Sequence, residues 1–136
     1  MILTERETDI VKHALRVAAE RFADDVRAIS TDTLLSSDAH ARLIAEFRHY
    51  ETRTRDLLRK FDATAVIDPG VVALYLKPEQ LQLLDEALDS HAYWQLSDEV
   101  YRDNGAVNPP GSDDPDNVKA LADVRVLQAH LAECRA

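Results

Sequence analysis

The chain has 136 residues, the length of one domain, and its 46% hydrophobic and 30% charged side chains exclude wholesale disorder. A net charge of −9 repels phosphate backbones, so no direct nucleic-acid binding is expected. The single cysteine, Cys134, excludes an intrachain disulfide framework and fits a reducing cytosol.

No apolar run approaches the length of a membrane span. The opening MILTERETD lacks the basic and apolar regions of a secretory leader. A cytoplasmic protein without a membrane partner is expected. The charge is uneven, at −2 over residues 1–32, +1 over 33–62 and −8 over 63–136. An acidic C-terminal half suits solubility or a basic protein partner. Arginine outnumbers lysine, and alanine is abundant. That bias matches GC-rich codon usage, as in actinobacteria or their phages.

The first helix is predicted over 4–29. Thr4 and Glu7 have the spacing of a capping box, in which each side chain satisfies a free backbone N–H of the first turn. Val11, Leu15, Ala18, Phe22, Val26 and Ile29 then share one face. Ser30 to Thr33 prefer caps and turns and end it. The short link to the next helix predicts an antiparallel αα-hairpin.

The second helix, 37–62, with Ser36, Ser37 or Asp38 as cap, has the cleanest pattern in the chain. Leu43, Phe47, Tyr50, Thr54, Leu57 and Phe61 recur at spacings of four and three, and Ile44 and Leu58 widen the stripe. It is expected to be the central helix. After Asp62 the helical period stops. Asp68-Pro69-Gly70 is a turn sequence, and it joins either a hairpin of 64–67 with 71–75 or the halves of an extended crossover.

Pro78 and Glu79 open a third helix, predicted over 78–104 and ending at Asn104-Gly105. It carries two apolar stripes. Leu81, Leu84, Leu88, His91 and Ala92 form one, which fails where Gln95 and Glu99 fall in line. Leu83, Ala87, Trp94 and Tyr101 form the other, with Tyr93 and Leu96 nearby. Residues 106–117 read as a surface loop. Asp114 and Pro115 open a last helix, 115–134, whose buried face is expected to hold Leu121, Val124, Leu127, Leu131 and Cys134. The fold expected is all-α, a four-helix bundle-like domain with a short hairpin or crossover between helices two and three.

Few residues point to chemistry. Glu46-x-x-His49 has the spacing of a di-iron carboxylate bundle, because residues three apart on a helix point the same way. No second such pair exists, and helical geometry turns His49 away from the Leu43–Phe61 stripe. His40 and His91 each lie on an apolar stripe. Together with nearby carboxylates they would be the ligands of a metal-dependent helical enzyme, the alternative function; the plainer expectation is that each ring is neutral and bonded to a carbonyl or carboxylate. The run Ser112 to Asp116 lacks the ligand order and closing glutamate of a calcium loop. Gly70, Gly105 and Gly111 are the only glycines, too few and too scattered for a phosphate cradle. No cofactor is expected.

The strongest functional signal is the second stripe of helix three. A helix with two apolar sides lies inside its bundle or is covered by another chain. Aromatic residues are favoured where partners dock. Leu83, Ala87, Tyr93, Trp94 and Tyr101 are therefore the expected partner-binding residues, for a basic protein or a second copy of the chain. The competing expectation is that this face packs on helix four and the 64–76 segment. The function expected is that of a non-enzymatic regulator, inhibitor or assembly adaptor.

Overall fold

The computed structural model describes residues 1–67, 70–96 and 115–135. The chain opens with a short strand, β1 (Ile2–Thr4), which runs directly into α1 (Glu5–Ser30). The capping box forms as expected. The Glu7 N–H donates to Thr4 Oγ1 at 3.1 Å, and the Thr4 N–H donates to Glu7 Oε1 at 3.0 Å. After a short link, the Ser36 hydroxyl accepts the Ala39 N–H at 3.2 Å and opens α2 (Ser37–Ala63). The helices run antiparallel. Lys12 meets Asp62 at 3.3 Å near one end, the Phe22 and Tyr50 rings stack midway, and His40 meets the Asp32 carbonyl at the other end.

The segment after α2 holds β2 (Val71–Ala73), which pairs antiparallel with β1 and sets Leu3 opposite Val72, both fully buried. The expected pairing of 64–67 with 71–75 is reduced to one bridge, Ile67 with Val71. β1 takes the rest of the ladder, because Leu3 supplies the apolar contact that closes this end of the core. Gly70 stands at φ +90°, a conformation that side-chain-bearing residues rarely adopt, and its carbonyl accepts the Glu5 N–H at 3.2 Å. Gly70 is thereby fastened to the start of α1.

α3 (Pro78–His91) begins with proline in its first position, as predicted. It then changes pitch into a π-helical turn, Ala92–Leu96. The wider turn carries an extra residue. Leu96 therefore takes the buried position that an unbroken α-helix would have given to Gln95. This is why the first stripe fails after Ala92. The predicted helix end at Asn104-Gly105, the loop over 106–114 and the Asp114 cap lie outside the described residues.

α4 (Pro115–Arg135) packs beside α3 and the π-helical turn. Val124, Leu127 and Leu131 are its buried face, with Leu121 half-buried beside them. Cys134, expected on that face, is exposed: the core ends one turn earlier, at Leu131. Polar contacts tie α4 to α3 and to the start of α1. Arg125 reaches Asp89 at 3.1 Å, Gln128 donates to Asp89 at 2.9 Å, Arg6 meets Asp123 at 2.5 Å and His130 meets Glu7 at 3.2 Å.

The result is an all-α bundle with a small two-stranded sheet. Its central helix is α1 and not α2. α1 buries Thr8, Val11, Ala14, Leu15, Ala18, Ala19 and Val26, whereas α2 buries only Thr54, Leu57 and Phe61. The main apolar cluster reaches Ala18 on α1 and Leu57 on α2 and goes no further along the hairpin. Among the described residues, no helix is long and apolar enough to cross a membrane.

Candidate functional site

α3 lies against α1 and covers one side of the hairpin as far as the π-helical turn. The second stripe of α3 faces into this junction. Leu83 and Ala87 are only 8% and 5% exposed. On the pocket side their neighbours come from α1 and α2. With Ala18, Phe22 and Thr54 they form the inside of a pocket of about 160 Å³. Arg21, Asp25, Glu86 and Ser90 complete its wall. Both of these expected partner residues line the pocket, and Leu83 also borders a second groove with Arg53, Asp56 and Gln80.

Tyr93 and Trp94 stand differently. The π-helical turn carries them past the end of the regular helix, where Trp94 remains 40% exposed. Their rings meet edge to face at 4.8 Å. The Arg21 guanidinium lies 3.7 Å from the centre of the Trp94 ring, so α1 fixes the indole from below. Such a cation–π contact is worth about 0.5–1 kcal/mol at an exposed site. Tyr101, the fifth expected residue, lies outside the described residues.

Beyond this junction the hairpin continues without α3. Phe22 stacks on Tyr50 with centroids 5.6 Å apart and approaches Phe47 at 6.2 Å. Phe22, Ile29, Leu43, Phe47 and Tyr50 are only half-buried there, and Leu34 at the link is 94% exposed. The aromatic triplet was visible as two separate helical stripes. Arg21 lies outside the apolar face predicted for the first helix, and no local pattern marks it as the support of Trp94.

The histidines divide into separate settings. His40 Nε2 is 2.5 Å from the Asp32 carbonyl. Glu46 and His49 are both exposed, with the His49 ring 6.1 Å from that of Tyr50. His91 is buried, and its Nδ1–H donates to the Gln95 carboxamide. Its ring meets His13 edge to face at 5.0 Å, a pairing of residues 78 positions apart that no local pattern announces. Burial holds the His91 pKa below its ordinary value of 6.5; the Gln95 bond opposes that shift and His13 adds to it.

The joint site of His40 and His91 is not made. His91 sits beside His13, early in α1, and His40 sits beside Asp32, just past its end. At about 1.5 Å per residue, the helix between these points holds them roughly 25 Å apart. Among the described residues, no group of three or more His, Cys, Asp or Glu side chains is placed to hold a metal ion. Ser112 to Asp114 of the acidic loop lie outside the described residues.

Glu7 joins the capping box to α4. Burial raises its pKa, but bonds from the Thr4 backbone and from His130 outweigh that and leave the carboxyl below its ordinary 4.5. Its surroundings are those of a helix start and an interhelical tie. Compared with protein-family models, curated proteins and solved structures, the chain matches none.

Proposed function

We propose that the protein is a non-enzymatic interaction module, a regulator, inhibitor or assembly adaptor that works by burying the aromatic surface at the end of α3 against a protein partner. The observation that carries this reading is the exposed Trp94, seated on Arg21 and paired with the half-buried Tyr93, beside the part of the hairpin that is half-open among the described residues. Apolar and aromatic surface left open next to a packed junction loses contact with water when a partner docks, at about 25 cal/mol per Å². Tryptophan, tyrosine and arginine are the residues most often found at the energetic centre of such contacts.

The partner is a basic protein. The chain carries −9 overall, and acidic surface speeds encounter with a basic one and disfavours acidic competitors. In its most specific form the protein is an acidic occupant of a nucleic-acid-binding protein's basic surface.

The test is affinity capture from the source cells with the whole chain and with Trp94→Ala, after circular dichroism has shown both to be folded. A basic protein retained by the first and lost with the second is the expected outcome. Equal recovery with both baits would remove the aromatic pair from the interface.

A further inference from the structure

The pocket between α1, α2 and α3 has a floor that asks for no hydrogen bond. Ala18, Phe22, Leu83 and Ala87 are apolar. Thr54, though fully buried, spends its hydroxyl on the Tyr50 carbonyl at 2.7 Å. The volume is about 160 Å³. An apolar cavity of about 150 Å³ accepts a benzene-sized group, which is the bulk of one large side chain.

The wall has the opposite character. It carries the carboxylates of Asp25 and Glu86 and one cation, Arg21, whose guanidinium is turned onto the Trp94 ring. Asp25 makes no ion pair among the described residues, and Glu86 accepts only an amide hydrogen bond, from Gln82 at 2.9 Å. Two carboxylates without a cationic partner at the mouth of an apolar hole define the visitor's chemistry: an oily tip between positive charges.

We propose that this pocket receives one bulky apolar side chain, of leucine, methionine or phenylalanine size, which a protein partner presents between basic residues. The inference rests on the interaction reading above and names the anchor by which the partner is held. A side chain inserted here places its flanking backbone beside the Trp94 ring, so the pocket and the aromatic pair are used together. A free small molecule would use the pocket alone. The energetic logic is that of a desolvated anchor inside a charged rim.

The probes are three capped pentapeptides: phenylalanine flanked by two arginines on each side, the same peptide with central alanine, and the same with glutamate flanks. Each is titrated into the whole ¹⁵N-labelled chain. The arginine–phenylalanine peptide is expected to shift the amides of Ala18, Phe22, Leu83 and Ala87 saturably, with a Kd about tenfold below the other two. Filling the hole with Ala87→Phe removes this binding. The pair Asp25→Asn and Glu86→Gln, which leaves the floor intact, weakens it about fivefold and flattens its salt dependence.

No saturable shift at these amides, or equal Kd values for the arginine and glutamate peptides, overturns the proposal. Benzylamine binding as tightly as the peptide also overturns it, by assigning the pocket to a small amine. If the peptides fail while Trp94-dependent capture persists, the interaction reading stands and only the anchor assignment falls.

Discussion

The two ends of the α1–α2 hairpin are built on one continuous stripe yet have different fates. At the end near the sheet, Thr54, Leu57 and Phe61 of α2 are closed over by α1, α3 and the strands. At the other end, Leu43, Phe47 and Tyr50 of the same stripe remain half-open, with α1 their only neighbour of any extent among the described residues. A helix that meets one neighbour buries a line of contact. A helix that meets three buries most of its circumference. The difference shows that periodicity reports the number of covered sides and not the depth of burial.

The largest expected effect tests that contrast directly. Phe61→Ala leaves a cavity in a closed core and should cost about 3–5 kcal/mol. Phe47→Ala removes the same side chain from a half-open site, where water refills the space, and should cost about 1–2 kcal/mol. Chemical denaturation of both variants checks the difference. Equal losses would mean that the far end of the hairpin is as well closed as the near end.

The same reasoning explains what was legible in the residues. Thr4 with Glu7, the serine before α2 and Pro78 at the start of α3 are local devices, satisfied within one turn, and each was readable. So was the hairpin, which needs only a short link and two amphipathic faces. α1 was underrated because its contacts with α2, α3 and the strands spread buried residues around it and blurred its stripe. β1 is three residues long, too short for alternation to register. The π-helical turn has no sequence pattern of its own and showed only as a stripe that failed at Gln95. Leu83 and Ala87 were legible as an apolar side, but what covers it depends on how α3 docks. The Arg21–Trp94 and His13–His91 contacts join residues far apart in the chain, which no window of sequence contains.

A smaller effect concerns pH. His91, in the packed half, has its folded pKa held below 6.5. As pH falls through 6.5, the unfolded chain takes up a proton that the folded chain refuses, so stability declines from there down to the folded pKa and is flat above. Arg6, Asp9, His13 and Asp123 share the groove beside this ring. Glu7 acts in the same direction but in a lower window, losing its contribution as pH falls below 4.5. Urea unfolding from pH 8 to 5 should show the first decline, and His91→Gln should remove its slope, whatever that variant does to absolute stability.

The smallest effect on stability is expected where the two halves meet. Arg21 is held to Trp94 by a partly exposed cation–π contact, so Arg21→Gln should cost no more than about 1 kcal/mol. Its optical effect should be larger. Trp94 is the only tryptophan, and the guanidinium shields one face of its ring. Removing the guanidinium should increase quenching of the indole emission by acrylamide while leaving the helical signal unchanged. If quenching does not move, Arg21 is not the seat of the ring, and the aromatic pair is held in place by its own turn of helix. A variant that unfolds would instead mean that the junction depends on this arginine as the near end depends on Phe61, and the boundary between the closed and open halves would have to be moved outward past Arg21.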